Sequence, residues 1–400
     1  MRPPVLSAFL IGWVLIGCAG LAGCTSPAGP PILANAPAFR PSPPPVSSRP
    51  PQAPDPMAVA FPRDDGPHDR LTEWWYYTGH LRDRATGDRY GFEFVIFRAE
   101  RGDFPVSWAS HVAITDEARG RFLYAQRSEI GPQVSRPTAA GFSLALSGLG
   151  QESGTAPTAP SWAMVGADGS DEISVALAAD EAHQADPPSS FALQLSLVAT
   201  KPAALHGCDG FVDFGPAGGS YYYSRTRMTA AGSLAIDGRQ LDVDGTAWFD
   251  HQWGDFIAVG GGGWDWFAVN LDDGTDLTLS LVRDGSGGYP LVYGTLVGPT
   301  GAATPLAAGD FSVTTIGHWQ SPVSGTTYPS GWRIRIPSAG LVIDLSPTVA
   351  GQELDTRAST GVIYWEGSQV VRATVGGHPV GGDAYVELTG YSTSAASSGP

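Results

Sequence analysis

Gly245-Thr246-Ala247-Trp248-Phe249-Asp250-His251-Gln252-Trp253-Gly254, followed after a glycine-rich turn by Gly263-Trp264-Asp265-Trp266-Phe267, is the stretch on which the fold turns. It concentrates four of the chain's 12 tryptophans around Asp250, His251 and Asp265. In a strand, alternate side chains share a face. Phe249, His251 and Trp253 therefore point one way, and Trp248, Asp250 and Gln252 the other. Asp250 and His251 are neighbours that form no dyad in a regular strand. By the same rule Asp265 points away from Trp264 and Trp266.

Outward from this run the same two-residue period recurs, as in Tyr90-Gly91-Phe92-Glu93-Phe94-Val95-Ile96-Phe97, Phe191-Ala192-Leu193-Gln194-Leu195-Ser196-Leu197 and Asp276-Leu277-Thr278-Leu279-Ser280-Leu281-Val282. Gly, Asp and Pro break the runs, and no window carries a sustained helical stripe. The pattern predicts an all-β protein of antiparallel strands built as sandwiches or barrels. A faint repeat is present. Trp74-Trp75-Tyr76-Tyr77 leads through a turn to a strand ending at Arg98, and Trp264-Asp265-Trp266-Phe267 leads through Asp272-Asp273-Gly274 to a strand ending at Arg283. Two related β-domains follow, with the Gly260-Gly261-Gly262-Gly263 run as the crossing between them.

At 400 residues the chain has room for two domains and appendages. Arg2, the apolar stretch from Val5 to Gly17 and Leu21-Ala22-Gly23-Cys24 read as an export signal at residues 1–23, ending in a lipobox that makes Cys24 the lipidated first residue. A weaker competing lipobox ends at Cys18. Residues 24–57 are rich in Pro, Ala and Ser and form an extended tether. At about 3.1 Å per residue it would reach up to roughly 100 Å from a bilayer. With Cys18 removed and Cys24 acylated, Cys208 is the only thiol left, so no intrachain disulfide is expected. The net charge of −16 argues against nucleic acid as a partner, leaving a lipid anchor as the link to the membrane.

An acid held against aromatic walls has its pKa raised and serves as a proton donor, and indole faces stabilise a cation formed by protonating an alkene. Asp250 and Asp265 are the candidate donors, His251 the candidate shuttle or water positioner, and Trp253, Trp264 and Trp266 the candidate pocket walls. The alternative is structural: tryptophans filling cores, the aspartates satisfying turns and His251 bonding a carbonyl. On a second aromatic strand Glu73, Trp75 and Tyr77 share a face. Trp75 and Tyr77 join the candidate ligand contacts, and Glu73 is expected to close a barrel by pairing with Arg98. Tyr221-Tyr222-Tyr223-Ser224-Arg225-Thr226-Arg227 reads as a strand with snorkelling arginines. No His-x-His or His-Glu-x-x-His spacing supports zinc, no phosphate loop or serine elbow occurs, and no cofactor is expected.

Glu73-Trp74-Trp75-Tyr76-Tyr77-Thr78-Gly79-His80-Leu81, Phe97-Arg98, His111-Val112-Ala113-Ile114-Thr115-Asp116, Tyr222-Tyr223-Ser224 and Trp248-Phe249-Asp250-His251-Gln252-Trp253-Gly254 resemble the bacterial lipocalin-like group of AttH proteins and carotenoid 1,2-hydratases. Gly263-Trp264-Asp265-Trp266, Tyr328-Pro329, Tyr364-Trp365-Glu366-Gly367 and Tyr385-Val386-Glu387-Leu388-Thr389-Gly390-Tyr391 extend the resemblance, in order, across nearly the whole folded part. It implies two tandem lipocalin-like antiparallel β-barrels, drawn here as residues 58–255 and 256–395. For activity it implies either hydration or isomerisation of a hydrophobic terpenoid, carotenoid or acyl-chain ligand, or a carrier role without catalysis. AttH-type genes often lie beside ABC-transporter permeases, which makes such a permease an expected partner. Mass spectrometry of the mature chain should find lipid-modified Cys24 at its N-terminus; any other N-terminus removes the anchor.

Overall fold

The computed structural model describes residues 58–392 apart from 132–139, 148–161, 178–180, 184–188, 208 and 257–260. The signal segment, Cys24, the tether, Cys208 and part of the glycine crossing lie outside the described residues.

The chain is nearly all β, as the two-residue period predicts. Across the first sheet the main strands run Arg121–Ile130, Phe104–Asp116, Arg89–Arg101, Thr72–Asp83, Arg239–Gly254, Gly219–Ile236, Phe191–Ala199, Ser170–Ala176, Trp162–Ala167 and Phe142–Leu146. The sheet curls until its edges meet, where Arg127 Nη1 donates to the Leu146 carbonyl at 3.2 Å. Trp75, Phe94, Trp162, Leu195, Leu234 and Phe249 fill the inside. The second sheet runs Ala303–Ala307, Leu291–Val297, Asp276–Asp284, Gly261–Leu271, Gly382–Leu388, Ile363–Val375, Leu341–Pro347, Trp332–Ile336 and Ser312–Thr315 around Phe267, Leu279, Trp332, Ile343 and Trp365. These are two lipocalin-like barrels in tandem, and the repeated aromatic hairpin supplies the wall that each turns toward the other.

Turn chemistry sets which side chains face that wall. Asp237 (φ 51°) and Gly238 (φ 74°) both take positive φ, the two-residue hairpin turn that Asp-Gly favours, and pair Ile236 with Arg239. Register is then fixed, because a one-residue slip would exchange the faces of Arg239–Gly254. The partner strand carries a bulge between Arg225 and Met228. Beyond it Met228 and Ala230 enter the barrel core, whereas before it Tyr222 and Ser224 lie on the outer face opposite Gln252 and Asp250. A single extra residue thus re-aims two hydroxyls toward the second barrel.

The barrels pack outer face to outer face. Tyr76, Val95 and Trp248 of the first meet Trp266, Ala268 and Tyr385 of the second. Gly91 permits the approach: a Cβ there would lie 2.9 Å from both Ser368 Cβ and the Tyr385 hydroxyl. Buried Asp276 ties one end of the interface, accepting from Lys201 Nζ at 2.6 Å, Thr226 Oγ1 at 2.8 Å and Arg227 Nη2 at 2.6 Å. At the other end Arg89 pairs with Asp383. Asp276→Ala would leave Lys201 and Arg227 uncompensated, at a cost of about 3–5 kcal/mol. Urea unfolding followed by tryptophan fluorescence should show the barrels separating at lower denaturant; an unchanged profile would remove Asp276 as the tie.

Candidate functional site

Alternation divides the aromatic run between three places. Trp75 pairs with His251 and Tyr76 with Asp250 across the ladder, so residues of both strands sort to common faces. Trp248, Asp250 and Gln252 share a face, as the strand period predicts, and that face turns to the second barrel. Trp264 and Trp266 face the first. Between them lies a cavity of about 100 Å³ lined in part by Trp74, Tyr76, Asp250, Trp264 and Trp266. His251, Trp75, Tyr77 and Trp253 project instead into the first barrel's core. Asp265 sits under Tyr391, whose hydroxyl donates at 2.9 Å, and pairs with Arg283 at 3.3 Å. Burial raises the Asp265 pKa while Arg283 opposes the shift.

Of the candidate catalytic residues Asp250, His251 and Asp265, only Asp250 lines this cavity. Other acids join it. Glu93, Glu366 and Glu387 reach the cavity from three strands, each at the same parity as an aromatic wall residue; Glu93 and Glu366 are buried and Glu387 is half-buried. Tyr76 donates to Glu366, Tyr364 donates to Glu93 Oε1 at 3.0 Å, and Trp264 Nε1 donates to Glu387 Oε2 at 2.8 Å. Burial raises Glu93 to about 8 and Glu387 to about 7. Burial, then the charges of Glu93 and Glu387, push Glu366 well above its ordinary value. Glu93 and Glu366 also hydrogen-bond each other, a contact that requires one of the two carboxyl groups to hold a proton.

Asp250 differs in kind. Tyr222 donates to its Oδ2 at 2.5 Å, Trp248 Nε1 to Oδ1 at 2.6 Å, and Ser224 also to Oδ1. Burial raises its pKa, and these three donors limit the rise to about 6. Trp266 Nε1 holds the Tyr222 oxygen at 3.1 Å. His206 backs Ser224 at 2.7 Å and Thr295 at 2.8 Å, and burial pushes it to about 3, so it stays neutral. The cavity thus holds three acids poised to be protonated and one held toward ionisation.

Several expectations are corrected by geometry. Glu73 does not pair with Arg98, which binds the Arg70 carbonyl at 2.9 Å and Glu100. Instead Glu73 Oε1 contacts His68 Nδ1 at 2.8 Å and His251 Nε2 at 2.9 Å, with His68 stacked on Trp253 at 4.0 Å. Burial opposes ionisation of Glu73, and the two imidazoles outweigh it. These three residues offer ligand atoms within 4.8 Å of one another, a set that His-x-His spacing does not reveal. All three atoms are already engaged in the hydrogen bonds just described. The arginines after the tyrosine run do not snorkel: Arg225 is buried against Asp65 at 3.1 Å, and Arg227 joins the Asp276 tie. Tyr222 and Ser224 of that run belong to the site.

Fold and site define a lipocalin-like two-barrel protein with an acid-lined cavity between its barrels. The chain belongs to the AttH-like family, whose model matches residues 52–391. It is similar to a crystal structure of an AttH protein from Nitrosomonas europaea, at 29% identity and a TM-score of 0.71, covering 85% of this chain and 99% of that one. Kievitone hydratase from Nectria haematococca shares the fold at 19% identity and a TM-score of 0.55, covering 80% of this chain and 89% of the other. A comparison with curated proteins gives no match.

The cavity acids make stability depend on pH in a definite direction. Glu93, Glu387 and Asp250, at about 8, 7 and 6, keep protons that the unfolded chain releases near the ordinary carboxyl values of 4.5 and 3.8. Their raised pKa values therefore favour folding at low pH, and stability should fall as pH rises from about 4 to about 8. Glu93→Gln should flatten this slope and stabilise the protein at pH 8 by about 2–4 kcal/mol. Urea titrations at pH 5 and pH 8 check both; a variant with the wild-type slope would show that Glu93 is not a protonated acid.

Proposed function

We propose that the chain is an exported lipoprotein whose interdomain cavity takes the unsaturated end of a terpenoid, carotenoid or acyl chain and hydrates or isomerises it. What carries this reading is the Glu93–Glu366–Glu387 group, neutral acids at near-neutral pH set among Trp74, Trp264 and Trp266. Charged ligands gain little from such walls, whereas an alkene gains both contact and a proton source. An engineered apolar cavity of about 150 Å³ admits benzene. A space of about 100 Å³ therefore suits a terminal group better than a whole polyene.

In the forward direction a carboxyl of the glutamate group donates its proton to one alkene carbon, breaking the π bond and leaving a carbocation on the other. The indole faces stabilise that cation. A water molecule attacks it and releases a proton to Asp250, whose three donors favour the ionised form. Loss of a proton from a neighbouring carbon instead gives the isomer. Acid and base are separated by environment, as general acid–base pairs require. Kievitone hydratase is named for a hydration, which accords with this chemistry on the same fold.

The alternative is a carrier or an accessory of an ABC-transporter permease, for which the same apolar lining would serve without proton transfer. Lipid extracted from the native protein should gain the elements of one water, or shift its double bond, on incubation with purified enzyme. Glu93→Gln with Glu366→Gln should lower turnover by about 10²–10⁴-fold with ligand retained. A ligand recovered unchanged from the wild type would leave the carrier reading standing.

A further inference from the structure

Behind the cavity a line of side chains crosses both barrels. Tyr364 donates to Glu93 Oε1 at 3.0 Å, His111 Nδ1 lies 2.8 Å from the Tyr364 hydroxyl, and His111 Nε2 lies 3.0 Å from Ser359 Oγ. Ser359 Oγ donates to Gln126 Oε1 at 2.8 Å, and both residues are partly exposed. Glu93, Tyr364 and His111 are buried. When Glu93 is ionised the Tyr364 proton is committed to it, so a neutral His111 carries its proton on Nδ1 toward Tyr364, and Nε2 is free to accept from Ser359 once that hydroxyl turns inward from Gln126 Oε1 and the Thr356 carbonyl. With that one rotation of the Ser359 hydroxyl every donor points from the surface to the cavity.

We infer that Ser359, His111 and Tyr364 form a proton relay that reloads Glu93 from solvent. This rests on the reading of the cavity glutamates as acids. In one inward passage the Tyr364 proton moves to the Glu93 carboxylate, the His111 Nδ1 proton to the Tyr364 oxygen, and the Ser359 proton to His111 Nε2. Water then replaces the Ser359 proton, so one proton enters and none is left over. The state after passage is also satisfied, because Nε2–H now donates to Ser359 and the Ser359 hydroxyl turns to Gln126 Oε1. Burial pushes His111 to about 3, so the ring rests neutral, as a two-nitrogen relay between tautomers requires. His111 and Tyr364 act through Glu93 and are positioning residues. Glu93 and His111 come from the first barrel, Tyr364 and Ser359 from the second, so the relay exists only in the docked protein.

The test needs no substrate. Infrared spectra of the whole protein at neutral pH should contain a carboxylic acid carbonyl band that Glu93→Gln removes and that shifts on transfer to heavy water. His111→Gln keeps a donor and an acceptor in place but passes no proton. It should slow that shift by an order of magnitude or more, while bulk amide exchange and near-ultraviolet circular dichroism stay unchanged. Ser359→Ala, at the mouth, should slow it likewise. A purely structural role for His111 predicts the opposite sign, because loosened packing admits water faster. Exchange at or above the wild-type rate in His111→Gln, with the band present, overturns the relay alone. Absence of the band in the wild type overturns both the relay and the acid reading of the cavity.

Discussion

Strand alternation with both faces covered is the constraint on which the rest depends. In an isolated barrel the outward residues of Thr72–Asp83 and Arg239–Gly254 would meet water, and polar side chains would suffice. Here those strands bear aromatic residues on both faces, and only a second barrel can cover the outer set. The second barrel has the same requirement on Gly261–Leu271. Each wall therefore satisfies the other, and the polar groups caught between them become buried.

That burial explains the chemistry of the cavity. Among the described residues four carboxyl groups face it and no arginine or lysine lines it. Unpaired carboxylates in such a place cost several kcal/mol each, so the low-energy solution is to keep protons. Asp250 departs from this because the bulge at Arg225–Met228 turns Tyr222 and Ser224 toward it, supplying donors that the glutamates lack. A difference of one residue in a strand thus separates an acid from a base.

The sequence makes one layer of this legible. Alternation alone puts Trp248, Asp250 and Gln252 on one face and Trp264 and Trp266 together on another, and removes His251 from Asp250. It also contained a signal for the missing acids: Glu93 stands between Phe92 and Phe94, Glu366 between Trp365 and Gly367, and Glu387 between Val386 and Leu388, each an acid with no polar side chain beside it. Such an acid is costly to bury. What alternation cannot supply is which outward faces meet, because that depends on contacts between strands hundreds of residues apart, such as Tyr76 with Glu366. Nor does it locate a bulge, so Tyr222 and Ser224 read as ordinary strand residues. His68 reaches Glu73 from a loop, where no period applies.

Docking and proton chemistry are consequently one property of this molecule. The ties at Asp276 and Arg89 hold the barrels at the separation that Gly91 allows. At that separation Tyr76 and Glu366, Tyr364 and Glu93, and Trp266 and Tyr222 come within hydrogen-bonding reach across the interface. A barrel that drifted outward would expose the glutamates, return them toward ordinary carboxylate behaviour and break every one of these bonds together. The interface is therefore the element that sets the acidity of the cavity, with each barrel acting as the other's low-dielectric wall.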